Sequence, residues 1–179
     1  MLQRSERATT PLLIAFVDLA GFAMQAARVT DDDLAAVIDG WYERVAARVA
    51  SSGGRTVKFI GDAALLVWPA AEADAGTAAL LALKEDADAY FGEAGWECRA
   101  QIKAHVGECV AGGFGAADDK RFDVIGKAVN TAAMLDSNGV ALSPEAFRAL
   151  SPETRQRFKK HTWPVTYIRV EDPHRFRRR

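Results

Sequence analysis

The chain has 179 residues, enough for one domain with a sizeable buried core. Apolar residues make up 49% and charged residues 26%, which excludes disorder or a fibrous repeat for the bulk of the chain. With 23 Lys and Arg against 24 Asp and Glu, the net charge is −1, so nothing in the balance draws the chain to nucleic acid or an anionic membrane.

The two cysteines, Cys98 and Cys109, exclude a disulfide scaffold and do not make a zinc site by themselves. The longest apolar stretch, Pro11–Ala27, is broken by Asp18 and Gln25, too short and too polar to span a membrane. Met1–Thr10 carries Arg4, Glu6 and Arg7 with no small-residue cleavage signal after it, so no secretory leader is expected and the cytoplasm is the expected compartment.

Leu12–Val17 is a continuous apolar run that predicts a buried strand ending at Asp18, followed by a turn containing Gly21. Thr30-Asp31-Asp32-Asp33 predicts a helix start with Thr30 as cap. Leu34, Val37, Ile38, Trp41, Val45 and Val49 then recur at helical spacing, carrying that helix to about Ala50. Thr56–Ile60 and Ala63–Trp68 flank Gly61-Asp62 and predict a hairpin closed by Pro69. Ala71–Phe91 reads as a second helix. Cys98, Ala100, Ile102, Ala104 and Val106 alternate with polar residues, which predicts a strand with its small apolar face, Cys98 included, turned to the core. His105 falls on the polar side, as a surface or dimer-interface residue. The four glycines of Gly107–Gly115 suggest a bent or bulged second strand. Phe122–Ile125 reads as short and extended, and Ala128–Leu135 as a turn or two of helix. Trp41, Trp68, Trp96 and Trp163 read as core. No internal repeat or linker appears. The order strand, helix, hairpin, helix, strand predicts an α+β, ferredoxin-like βαββαβ fold with C-terminal additions. The expected divisions are a tail over 1–10, one catalytic domain over 11–171, and a tail over 172–179 whose basic Arg175–Arg179 end is expected to be solvated.

Asp18 closes a buried strand and Asp62 sits in a tight turn, so adjacent strands would bring both carboxylates to one sheet edge. Two hard oxygen ligands beside a glycine-opened turn suit Mg²⁺ or Mn²⁺ with a triphosphate. The backbone N–H groups of Ala20, Gly21 and Phe22 open a helix and could take phosphate oxygens. Spacing alone favours a plainer reading, with Asp18 as a helix cap and Asp62 as an ordinary turn residue. Lys58 could likewise be a solvent-facing strand residue, Asn130 a turn cap and Lys127 a solvated helix start.

Four segments, in order, shift that balance. Phe16-Val17-Asp18-Leu19-Ala20-Gly21-Phe22 resembles the first metal motif of the class III nucleotide cyclases, and Lys58-Phe59-Ile60-Gly61-Asp62-Ala63 resembles their second. His105–Gly112 resembles the strand-turn-strand that follows, and Phe122–Ala132 their last signature. The four cover Phe16 to Leu135, about two thirds of the chain. The resemblance implies the class III cyclase palm fold. It implies that Asp18, Asp62 and the backbone of Leu19 bind two divalent ions, Mg or Mn, at which a ribose 3′-hydroxyl attacks the α-phosphorus and pyrophosphate leaves. It implies that Lys58 and Asp123 read the base, as in the family's adenylate cyclases, and that Asn130 orients the ribose. It further implies a head-to-tail homodimer with the metal aspartates from one subunit and the base and ribose contacts from the other.

This chain departs from the pattern at Met134, where the resemblance calls for an Arg four residues after the Asn. A thioether makes no charge-assisted hydrogen bond to phosphate. Lys120, Arg121 and Lys127 are candidate substitutes, and Lys159-Lys160-His161 resembles the family's late phosphate-binding Lys. No sensor or membrane segment is read ahead of the motifs, so a stand-alone domain is expected. Three readings follow: a cyclase with ATP slightly favoured; a divergent pyrimidine cyclase making cyclic UMP or CMP in anti-phage defence; and a silent homologue that binds nucleotide without turnover. A diguanylate cyclase or polymerase is disfavoured, because no Gly-Gly-(Asp/Glu)-Glu-Phe hairpin and no basic nucleic-acid channel is present.

Overall fold

The structure is a computed structural model that describes residues 7–162 and 164–173. Trp163 and the Arg175–Arg179 tail lie outside the described residues. The chain runs β1 (Ala8–Ala20), α1 (Phe22–Ala26), α2 (Asp31–Ser51), β2 (Arg55–Ile60), β3 (Ala63–Pro69), α3 (Ala73–Glu93), β4 (Arg99–Gly115), β5 (Lys120–Ile125) and α4 (Lys127–Met134). It continues with β6 (Val140–Leu142), α5 (Pro144–Ala149), α6 (Pro152–Arg155), β7 (Phe158–His161) and β8 (Thr166–Arg169).

The sheet order is β2-β3-β1-β4-β6-β8-β7, with β5 paired to β4. Its first four strands are antiparallel neighbours, the arrangement of a ferredoxin-like βαββαβ unit. The C-terminal additions extend the sheet beyond β4, starting with β6, which pairs with β4 in parallel.

Helices on one side and a curled ribbon on the other explain why β1 reads as an unbroken apolar run. Leu13, Ala15, Val17 and Leu19 enter the main core with Trp41, Val45 and Val49 of α2 and Leu80, Leu83, Ala87 and Phe91 of α3. Leu12, Ile14 and Phe16 enter a second core on the opposite face, with Leu65, Cys109, Val124, Ala128 and Ala132. Gly76 sets the distance between α3 and the sheet, since a Cβ there would meet Leu13 Cδ2 at 2.6 Å and the Trp68 ring at 3.0 Å.

Two strands differ from the sequence expectation. β1 begins at Ala8, because its first residues pair with the far half of β4. The segments read as Cys98–Val106 and Gly107–Gly115 form one strand, β4. Its buried residues change face along its length: Ala100, Ile102 and Ala104 enter the main core, and Cys109 and Ala111 the second. The far half of β4 and its partner β5 curl over the second core, setting Arg55 of β2 over the Phe122 ring of β5 at 3.6 Å. Thr30 caps α2 as expected, accepting from the Asp33 amide. No helix among the described residues is long and apolar enough to cross a membrane.

Candidate active site

Asp18 lies near the end of β1 and Asp62 in the β2–β3 turn, where Gly61 takes a left-handed φ of 60°. The pairing of Val17 with Ala64 brings the turn beside Leu19. The Leu19 amide donates to both carboxylates, to Asp18 Oδ1 at 3.0 Å and Asp62 Oδ2 at 3.2 Å. The expected convergence at one sheet edge is therefore present, and Asp18 is not a helix cap. The cap position of α1 is Gly21, without a side-chain bond.

α2 holds the turn from behind. Trp41 Nε1 donates to the Asp62 carbonyl at 3.2 Å, the Tyr42 hydroxyl donates to the Gly61 carbonyl, and the Tyr42 ring stacks on Phe59 at 3.8 Å. Burial pushes the Asp62 carboxyl above the usual carboxylate range; its own amide pulls back, and the Asp18 charge pushes it up again. Tyr42 and Cys98 are also pushed up, first by burial and then by the Asp62 charge. The turn is thus a concentration of negative charge, and among the described residues no Lys or Arg moderates Asp62.

That donor set fits a divalent cation. Two hard carboxylate oxygens point to one place, and their mutual repulsion is relieved by a positive ion. Among the described residues no third His, Cys, Asp or Glu joins them. Mg²⁺ is commonly held by one or two carboxylates with substrate phosphates filling the rest. The backbone beside the pair is tightly shaped: Gly21 has φ +86°, and a Cβ there would lie 2.8 Å from the Glu97 carbonyl oxygen. The Ala20-Gly21-Phe22 segment is therefore restricted to glycine at its centre, and α1 begins at Phe22 as expected.

Lys58 and Asp123 meet as the curled β5 comes alongside β2. Lys58 Nζ donates to Asp123 Oδ2 at 2.6 Å, and the other Asp123 oxygen accepts from the Val124 amide at 2.8 Å. A cationic donor and an anionic acceptor thus stand side by side, both partly open to solvent. Lys58 is not merely a solvent-facing strand residue. Asn130 is exposed on α4, and Met134, one turn on, is 85% exposed.

The candidate cations disperse. Arg121 is engaged by Asp119 at 3.1 Å, and Lys120 and Lys127 are exposed. Lys159 donates to the Val170 carbonyl at 2.7 Å on β7, the sheet edge opposite β2. His105 corrects the expectation of a surface position. It is buried, and its Nδ1 lies 2.8 Å from Ser143 Oγ, the cap of α5, because β6 delivers Ser143 beside β4. Burial lowers its pKa, opposed by Glu145. Sequence reasoning passed over Lys103, whose Nζ reaches the Ala133 carbonyl at 3.4 Å at the end of α4. Its only signal was a lysine on the polar side of a strand running past Asp18.

The family described as "Adenylate and Guanylate cyclase catalytic domain" matches residues 5–169. The adenylate cyclase of Streptomyces coelicolor is 33% identical over 126 residues, covering 70% of this chain and 29% of that protein. Adenylate cyclase 2 of Rhizobium meliloti is 27% identical over 164 residues, covering 88% of this chain and 43% of that protein. The chain therefore spans less than half the length of these relatives. The adenylyl cyclase CyaB of P. aeruginosa shares the fold, with a TM-score of 0.81 at 19% identity over 95% of this chain and 98% of that one. With a match across nearly its whole length, the chain belongs to the adenylate and guanylate cyclase catalytic domain family.

Proposed function

We propose that this domain converts a nucleoside triphosphate, ATP in preference, to its 3′,5′-cyclic nucleotide and pyrophosphate, as a homodimer using two divalent ions. The convergence of Asp18 and Asp62 on the Leu19 amide carries the reading. It leaves two like charges together, with no cation among the described residues moderating Asp62. When bound, Mg²⁺ or Mn²⁺ would acidify the ribose 3′-hydroxyl and neutralise the leaving pyrophosphate.

The chain's own residues do the rest. Asp18, Asp62 and the backbone of Leu19 hold the ions, and the Ala20–Phe22 backbone lies beside the phosphates. Lys58 donates to a ring nitrogen and Asp123 accepts from an exocyclic amine, a combination that suits adenine. That both curated relatives are named adenylate cyclases supports the same preference. Asn130 stands on an outward face of α4, where it can orient a ribose held by a second copy. A head-to-tail pair of copies would then build two complete sites.

Met134 supports a second reading, a homologue that binds nucleotide without turnover, since its exposed thioether offers phosphate no charge. One experiment separates these readings. The purified protein is incubated with Mn²⁺, and separately Mg²⁺, with ATP, GTP, CTP and UTP, and products are identified by mass. Cyclic AMP is the expected product. Cyclic UMP or CMP would keep the metal pair and overturn the base assignment. Binding without any cyclic product would establish the silent homologue.

A further inference from the structure

We propose that the Tyr42 hydroxyl is a positioning group for the metal pair. It fixes the peptide between Gly61 and Asp62, and so holds the Asp62 carboxylate beside Asp18, where a divalent ion would bind. The inference rests on the metal reading of the Asp18–Asp62 site, and every residue it uses belongs to the half-site that one copy supplies. Three observations carry it. First, two adjacent residues of α2 hold both carbonyls of the β2–β3 turn. The Tyr42 hydroxyl donates to the Gly61 carbonyl, and Trp41 Nε1 donates to the Asp62 carbonyl at 3.2 Å. Second, a trans peptide points its carbonyl and its N–H in opposite directions. With the Gly61 carbonyl turned to α2, the Asp62 N–H of the same peptide faces the other way, where it acts on the Asp62 carboxyl and lowers its pKa. Third, packing does not fix the tip of the turn. Gly61 is exposed with a φ of 60°, and a Cβ there would meet nothing within 4 Å.

The Tyr42 ring is placed independently of its hydroxyl, stacked on Phe59 at 3.8 Å on the strand that leads into the turn. Groups that orient the ligands of a metal act on its affinity through those ligands. The same contacts also fit an ordinary role, a helix packed on a hairpin. The test must therefore separate the geometry of the ligand from the packing of the helix. A second tyrosine supplies the comparison. The Tyr90 hydroxyl of α3 donates to the Val37 carbonyl at 2.9 Å, which fastens α2 to α3 rather than to the turn.

Tyr42→Phe and Tyr90→Phe each keep the ring and delete one hydroxyl bond, so both should lower Tm. Mn²⁺ is titrated into each protein without nucleotide, with free Mn²⁺ followed by electron paramagnetic resonance. The Mn²⁺ concentration for half-maximal turnover is measured alongside. For Tyr42→Phe the Kd for Mn²⁺ and the half-saturating Mn²⁺ should both rise about 10-fold, the usual effect of losing a partner behind a metal ligand, with kcat at saturating Mn²⁺ little changed. Tyr90→Phe should keep the wild-type Mn²⁺ affinity. The binding readout serves equally for a chain that does not turn over. An unchanged Mn²⁺ affinity in Tyr42→Phe, or an equal loss in Tyr90→Phe, overturns the proposal and leaves Tyr42 a packing residue. A wild-type protein that takes up no Mn²⁺, or an Asp62→Asn variant that binds it as tightly, overturns the metal reading itself, and the role of Tyr42 with it.

Discussion

Replacing Asp62 with Asn removes one of two like charges that share the Leu19 amide, so the variant should lose turnover and gain stability. The magnitude follows from the geometry. Both carboxylate oxygens bond to one nitrogen, at 3.0 and 3.2 Å, so they lie no more than about 6 Å apart. At ~6 Å two like charges repel by about 0.7 kcal/mol in water and about 2.8 kcal/mol at an effective dielectric of 20. Asp18 is exposed, which places the pair near the lower figure. Asn keeps an oxygen for the Leu19 amide but loses its charge, a reversal of about 0.5–1 kcal/mol. Relief from burying an ionised group adds to the gain. These first two effects nearly cancel, so the net gain is the burial relief, expected at no more than about 1 kcal/mol, or at most about 2–4 °C in Tm for a chain of this size. Calorimetry near neutral pH with a chelator measures it. Because the folded-state pKa of Asp62 is raised, wild-type stability falls as pH rises through it. The gap between the two proteins should therefore close as pH drops into the ordinary carboxylate range. Mn²⁺ should invert the order, stabilising wild type by about 2.7 kcal/mol at one hundred times its Kd and the variant by less. A variant less stable than wild type in chelator, or a wild-type Tm unmoved by Mn²⁺, refutes the account of the site as a repulsive, cation-seeking pair.

Lys58→Ala and Asp123→Ala break a solvent-exposed pair worth at most about 1 kcal/mol, so Tm should barely move. By contrast kcat/KM for ATP should fall about 10–100-fold, more than for the other triphosphates; an equal loss on all four would remove the base-reading role. Gly76→Ala gains helix propensity but drives a Cβ into Leu13 and Trp68, and a net loss of about 1–3 kcal/mol is expected by thermal melting. His105 has its folded pKa lowered by burial, so the unfolded chain takes up the proton first and stability falls as pH drops below about 6.5. His105→Gln should flatten that part of the Tm-against-pH curve, and an unchanged slope would assign it to other groups.

Much of the fold is legible because its long elements carry strong periodicity. The spacing of Leu34 through Val49 describes α2, and the Thr30 cap follows from a hydroxyl placed before three acidic residues. The βαββαβ order then needs no further information. The C-terminal third resists for a physical reason. Its strands and helices are three to six residues long, too short for a period to register, and the strands are held by pairing outward from β4 through β6 and β8 rather than by their own pattern. Two signals there were nevertheless readable. Ser143-Pro144-Glu145 and Ser151-Pro152-Glu153 each place a capping hydroxyl before a proline at the helix start, and both serines do cap helices.

The candidate site divides along the same line. Asp18 and Asp62 belong to local motifs, a strand end and a hairpin turn, so their convergence follows from pairing two adjacent strands. The contact between Lys58 and Asp123 depends on β4 curling far enough to lay β5 beside β2, and alternation in the sequence does not encode that curl. His105 and Lys103 show the ambiguity most clearly. Both fall on the polar side of one strand, two residues apart and on one sheet face. His105 is buried against the Ser143 hydroxyl, while Lys103 is half-buried and donates to the Ala133 carbonyl near the end of α4. What separates them is the C-terminal additions: Ser143 and Glu145, at the start of α5, close on His105, and alternation along β4 does not encode that.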